Sequence, residues 1–313
     1  MERQGRIVIV GSANMDLVIP VGRLPRAGET LAGGDIALFP GGKGANQACA
    51  AARLGGSVVF LGQVGSDPFG SSLRASLQEA GVDTGQVGVA GRPTGCASIY
   101  VLPGGENAIV ISPGANATLD PETAVGRLEA LNHADFVLLQ LEIPIETVDA
   151  ALTWARLRGA TTILDPAPAR PLPPSLLRKV DFLTPNQLEA AILLGEPLRE
   201  IRDFSDAEEA AAGLLALGPS TVVVKLGSLG CLVASGQTRV RIHGFPVAAV
   251  DTTAAGDAFN GGLAVALAEG RPPVEAAKFA NAAGAIAVTR YGAQASLPSR
   301  DDLSLLLGPE VAV

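Results

Sequence analysis

Basic residues are in short supply. Lys and Arg number 23 against 31 Asp and Glu, a formal net charge of −8 over 313 residues. A surface that grips nucleic-acid phosphates needs clustered cations, so no nucleic-acid partner is expected. Any phosphate site must be local, built from backbone N–H groups, a few cations and a metal. Cysteine is scarcer. Cys49, Cys96 and Cys231 share no metal-ligand spacing, and an odd, unpaired count fits a reducing compartment with buried, inert thiols. No apolar run approaches ~20 residues, so no membrane span is expected. No basic-then-apolar leader opens the chain, and cytoplasmic is the expected location. The two histidines, His133 and His243, have no partner spacing and read as surface or loop residues; Trp154 reads as packing. There is no internal repeat, and the Pro-rich stretch Pro166–Pro174 is too short to divide the chain.

What is abundant is apolar: 48% of residues, ample for one large core. Arg6–Val10 is a β-branched run closed by Gly11 and reads as a buried central strand. Similar runs recur at Val58–Leu61, Phe136–Leu139, Thr162–Leu164, Phe182–Leu183 and Thr221–Lys225. Helical patterns lie between them, at Ala45–Leu54, Ser71–Ala80, Ile145–Arg158, Gln187–Leu194 and Ala207–Leu217. That alternation predicts an α/β fold: a central, mostly parallel sheet flanked by helices on both faces. Cys231–Ala234 and Arg239–Ile242 predict an edge hairpin, followed by two Ala-rich helices near Asp257–Glu269 and Val274–Thr289. Two stretches break the alternation. Asp16–Leu38 reads as strands separated by Pro and Gly, and Ser98–Leu102 with Ala108–Ile111 as a hairpin. Together they predict a small β-sheet standing off a single domain spanning 1–313.

Six segments carry chemistry, three of them sharply. In Asp251–Gly262, small residues precede a helix that starts near Gly256. A helix N-terminus suits an anion, and Ala254, Ala255 and Gly256 let a phosphate approach the backbone. Asp257 in the first turn is either a dipole-complementing cap or a general base beside that phosphate. Gly41-Gly42-Lys43-Gly44-Ala45-Asn46-Gln47 opens another helix. It is no P-loop, because Ala37 and Gly44 stand where Gly and Ser or Thr are needed. Nor is it a dinucleotide fingerprint, because Gln47 holds the third Gly place. Close approach to a polar ligand, with Lys43 and Asn46 as donors, and a hinge are both compatible with it. Asn14 and Asp16 follow the first strand at its carboxyl end, where they can bind adjacent hydroxyls or simply form a turn. Glu142 faces the same crevice. Asn186 and Glu189 share a helix face suited to a phosphate and hydrated Mg²⁺, with an N-cap as the plain alternative. Lys225 to Gly230 ends another strand, with glycines that allow a nucleotide to approach.

In order and across some 290 residues, these segments resemble the phosphofructokinase-B type carbohydrate kinases, and within them the ribokinase group. Gly11–Asp16 is similar to the family's first sugar loop, Gly41–Gln47 to its Gly-Gly-Lys-Gly-Ala-Asn-Gln signature, and Asp251–Asn260 to its second signature. The resemblance implies ATP-dependent phosphorylation of D-ribose at the 5-hydroxyl. Another small sugar or a nucleoside is the alternative substrate, and a binding regulator without turnover is a rival in a different class. It implies a β lid, about 13–43 and 95–112, that forms a homodimer contact. It implies sugar contacts from Asn14, Asp16, Gly42, Lys43, Gly44, Asn46 and Glu142. Asp257 would be the base, and the N–H groups of Ala254 to Asp257 an anion hole. ATP contacts would come from Asn186, Lys225, Gly227, Ser228, Gly230, Gly256 and Asn281, with Mg²⁺ held through water by Glu189. A monovalent cation, usually K⁺, would sit at Asp251, Thr253, Ala287, Arg290, Gly292 and Ser296, several through carbonyls. Gln187 departs from the commoner pair after Pro185. Asp165 stands where an Asn is frequent, with no functional meaning attached to it.

Overall fold

The run Arg6–Val10 forms an interior strand rather than the middle one, and it is buried because both faces of its sheet are covered. The computed structural model describes residues 5–308. Among them lie the strands β1 (Arg6–Val10), β2 (Asn14–Pro20), β3 (Ala37–Gly41), β4 (Ser57–Gly65), β5 (Asp83–Ala90), β6 (Gly95–Val101) and β7 (Asn107–Ser112). They continue as β8 (Phe136–Leu139), β9 (Thr161–Leu164), β10 (Phe182–Leu183), β11 (Thr221–Lys225), β12 (Gly230–Ser235) and β13 (Thr238–His243). Nine strands make one sheet in the order β13-β12-β11-β10-β9-β8-β1-β4-β5. Pairing is parallel from β11 to β5, and the β12–β13 hairpin is antiparallel at the edge.

Alternation along β1 sorts the core. Ile7 and Ile9 pack with the helices Lys43–Arg53, Ala255–Ala268 and Pro273–Ala287, while Val8 and Val10 pack with Ile145–Arg158 and Phe204–Ala216 on the other face. Trp154 is buried in that second layer, and Cys49 and Cys231 in the first. β1 lies between β4 and β8, so the chain reverses its direction of winding there. That is the point where open α/β sheets form a crevice at their carboxyl ends.

The small second sheet has the order β3-β2-β6-β7. The expected hairpin is present as β6–β7. The stretch expected as several strands forms only β2 and β3, with no strand over 21–36, where Pro and Gly interrupt the ladder. The sequence reading also passed over β5 and the helices Pro121–Glu129 and Arg300–Leu307, whose polar composition hides their apolar stripe. Among the described residues no helix is long and apolar enough to cross a membrane.

Candidate active site

Two helices cross at very short range. A Cβ on Gly261 would lie 2.7 Å from Ala50 Cβ and 2.9 Å from the Gln47 carbonyl oxygen, so only a glycine admits this approach. One turn before that crossing, the first helix carries Asn46 and Gln47 and the second carries Asp257. Asn46 Nδ2 donates to Asp257 Oδ2 at 3.0 Å, and Gln47 Nε2 donates to Oδ1 at 3.0 Å. Asp257 is only 5% exposed. Burial raises its pKa, against the pull of the Lys43 ammonium. The first-turn carboxylate therefore sits in a built cradle.

Its helix begins at Ala255, with Ala254 left-handed at φ 58° and no capping side chain. A non-glycine residue there is strained. The Ala255 nitrogen donates to the Thr252 carbonyl at 3.3 Å, and no side chain caps the helix end. A Cβ on Gly256 would lie 3.5 Å from Lys225 Nζ, so an ammonium group stands beside the first-turn N–H groups. Together they form an anion-attracting corner next to Asp257.

The loop after β1 and the Gly41–Gly44 turn interlock. Gly42 has φ 88°, and a Cβ there would lie 2.7 Å from the Asn14 nitrogen; one on Gly44 would lie 2.6 Å from the Ser12 nitrogen. A Cβ on Gly41 would collide with the Asp16 carboxylate. This close packing gathers the predicted sugar residues. Glu142 accepts from Ser12 Oγ at 2.5 Å and from the Lys43 nitrogen at 3.0 Å. Its strand ends at Leu139, where the apolar run suggested, three residues before Glu142. Asn14 Oδ1 is committed to Asn116 Nδ2 at 2.7 Å, which orients Asn14 as a donor. Burial pushes Asp16 up to about 7, helped by the charges of Glu142 and Asp257. Burial works against the Lys43 ammonium, but Asp257, Asp165, Glu142 and Glu189 outweigh it and raise its pKa. Asn46 Oδ1 is buried without a partner, an acceptor awaiting a donor.

The predicted nucleotide residues lie around the ends of β10 and β11. Asn186 and Glu189 form a complete capping box: Asn186 Oδ1 accepts from the Glu189 nitrogen at 2.8 Å, and Glu189 Oε2 accepts from the Asn186 nitrogen at 2.7 Å. The plain alternative is thus realised, yet Glu189 Oε2 remains 4.0 Å from Lys225 Nζ. Gly227 and Ser228 are exposed, whereas Gly230 is buried at φ 107° against β13. Asn281 donates through Nδ2 to the His243 carbonyl at 3.0 Å.

Of the predicted cation residues, Asp251, Thr253 and Gly292 are joined by hydrogen bonds. Asp251 Oδ1 accepts from the Thr253 nitrogen and hydroxyl at 2.9 and 2.6 Å, and Oδ2 accepts from the Gly292 nitrogen at 2.9 Å. Burial opposes its charge, but these bonds hold the carboxyl below its ordinary range. Ser296 is fully buried beside Ala293, and the Arg290 side chain turns to Asp302 at 2.6 Å, leaving its carbonyl for the loop. One carboxylate among carbonyls fits a weakly charged ion. Among the described residues no cluster of three His, Cys, Asp or Glu offers a full metal shell, so Mg²⁺ would take water and phosphate ligands around Glu189.

Gln140 and Asn116 carry no signal in the motifs, and Asp165 stands out in the sequence only as a departure without a role. Gln140 and Asp165 directly follow β8 and β9, and that position at a strand's carboxyl end was the available signal.

Residues 4–300 match the model described as pfkB family carbohydrate kinase. A ribokinase of Bacillus subtilis is 42% identical over 302 residues, 96% of this chain and 99% of that one. The structure of a ribokinase from Thermotoga maritima superposes with a TM-score of 0.88 at 40% identity, covering 97% of this chain and 99% of that chain. A ribokinase of Arabidopsis thaliana complexed with ribose and ATP superposes with a TM-score of 0.88 at 34% identity, covering 98% and 99%.

Proposed function

The chain belongs to the pfkB family of carbohydrate kinases, and from that membership we propose that it transfers the γ-phosphoryl group of ATP to the 5-hydroxyl of D-ribose. The observation that carries the chemistry is the buried Asp257 at an uncapped helix N-terminus, held by Asn46 and Gln47. Ribose lies against Asn14, Asp16, Gly42, Lys43, Gly44 and Glu142. Asn14 and Lys43 donate, Asp16 and Glu142 accept, and the Asn46 oxygen accepts from one further hydroxyl. Asp257 accepts the proton of the attacking 5-hydroxyl. Its burial makes it a stronger base than an exposed carboxylate. The N–H groups of Ala254 to Asp257 and the Lys225 ammonium receive the charge that develops on the transferring group.

Asn186, Gly227, Ser228, Gly230 and Asn281 line the nucleotide's place. Glu189 would hold Mg²⁺ through water, and Asp251, Thr253, Ala287, Arg290, Gly292 and Ser296 would hold K⁺. Bound there, the two ions would supply positive charge that offsets phosphate charge, and Asp251 and Thr253 would steady the 251–257 loop. The small sheet, with 13–43 and 95–112, acts as a lid that closes over the sugar and excludes water. Its exposed Leu38, Phe39, Ile109, Val110 and Ile111 support pairing of two lids in a homodimer. We place the enzyme in the cytoplasm, where ATP and reduced thiols coexist.

A sugar panel read by coupled ADP release tests the substrate. Ribose should lead deoxyribose, fructose and nucleosides in kcat/KM, and a nucleoside preference would overturn the reading. Asp257→Ala should lower kcat by roughly 10²–10⁴ while sparing ribose affinity. Near-normal turnover would remove Asp257 from the mechanism.

A further inference from the structure

We propose that Asp165 is a positioning residue for phosphoryl transfer. One of its carboxylate oxygens holds the Lys225 ammonium at the anion corner. The other holds the Gln47 amide, which in turn holds Asp257. The inference rests on the reading of ATP and ribose as substrates. It goes further because it gives a task to a residue that touches neither.

Asp165 follows β9 and is 2% exposed. Its Oδ1 accepts from Lys225 Nζ at 2.9 Å, and its Oδ2 accepts from Gln47 Nε2 at 2.9 Å. The same Gln47 nitrogen donates to Asp257 Oδ1 at 3.0 Å. Gln140 Nε2 donates to Gln47 Oε1 at 2.6 Å. The orientation of Gln47 is therefore forced. Its nitrogen faces two carboxylates and its oxygen faces an N–H₂ group, so an inverted amide would set like against like on both sides. The chain Gln140–Gln47–Asp165–Lys225 runs beneath the site and links the base to the cation beside Gly256.

Only a carboxylate satisfies both arms. It accepts from two donors on two oxygens, whereas an asparagine offers one oxygen and must present N–H₂ to the other donor. Asp165→Asn must then release Lys225 or oppose Gln47. Asp165 is buried and Lys225 nearly so, so water offsets little of the loss, and a freed side chain moves away from the geometry it held.

The test is steady-state kinetics on the full chain, with ATP and ribose each varied, for four proteins: wild type, Asp165→Asn, Lys225→Gln, and the double variant. In Asp165→Asn the KM for ATP should rise, and kcat should fall, each about tenfold, while the KM for ribose stays within about twofold. Lys225→Gln should show the same split. In the double variant the two introduced amides are complementary. The oxygen of the one at position 165 can serve Gln47, and its N–H₂ can serve the oxygen of the one at position 225. The losses of the double variant should therefore be no greater than those of Lys225→Gln alone. Multiplied losses in the double variant, or equal rises in both KM values, would overturn the proposal. Should Asp165→Asn fail to fold, the comparison of the double variant with Lys225→Gln still decides. Wild-type turnover on ribose tests the substrate reading separately, since all variant values are ratios to wild type.

Discussion

Replacing Gly261 with alanine would strike the catalytic cradle while leaving every side chain of it in place. The added Cβ would lie 2.7 Å from Ala50 Cβ, and 2.9 Å from both the Ala51 nitrogen and the Gln47 carbonyl oxygen. Two of these three contacts are to backbone, so no side-chain rotation relieves them. Non-bonded carbons settle at about 3.5–4.0 Å, so the two helices must part by roughly 1 Å. Asn46 and Gln47 reach Asp257 across that same gap, in two bonds of 3.0 Å each. Parting would carry both to about 4 Å, beyond hydrogen-bonding range. A displacement of that size at the reacting centre costs up to about 10²-fold, so kcat should fall roughly 10–100-fold. Overpacking should also cost about 1–3 kcal/mol of stability, a visible drop in Tm by calorimetry. Coupled ADP release gives kcat, and ribose titration gives affinity. A well-folded Gly261→Ala enzyme with kcat within about twofold of wild type would refute the reasoning. Adding Ala50→Gly removes one of the three contacts and should restore part of the rate.

Three further outcomes follow from the site. Burial and the charges of Glu142 and Asp257 hold Asp16 near pKa 7, and its ionised form accepts from sugar hydroxyls on both oxygens, more strongly than the neutral acid. The kcat/KM for ribose should therefore fall as pH drops through about 7. Asp16→Asn should remove that limb, and an unchanged profile would exclude Asp16 as its source. Gly41→Ala drives a methyl into the Asp16 carboxylate, so the KM for ribose should rise about tenfold or more, with kcat less affected. Loss of kcat alone would contradict this. Asp251→Asn cannot keep acceptors toward both Thr253 and Gly292, so half-maximal activation should need more K⁺. A K⁺ titration identical to wild type would sever Asp251 from that ion.

The sheet and its principal helices were legible because their signals are local. A β-branched run such as Arg6–Val10 can be buried only with both faces covered, and strands closed by glycine alternate with helix-period segments. The glycines at 41, 42 and 44 announced close approach, and the small residues before Asp257 announced an open helix end. Less legible were β5 and the helices Pro121–Glu129 and Arg300–Leu307, in which buried apolar positions are few and scattered among polar ones. Local pattern also could not weigh Asn186 as cap against Asn186 as ligand, since either role uses the same residue. Tertiary structure alone placed Gln47, 210 residues from Asp257 in sequence, within 3.0 Å of it. It likewise made Asp165 the partner of Lys225 and Gln47 rather than an idle variant before Pro166. The physical reason is that propensity and periodicity are set by neighbours along the chain. Hydrogen bonds between buried polar groups are set by which helices and strand ends meet, and here that meeting depends on a single missing methyl at Gly261.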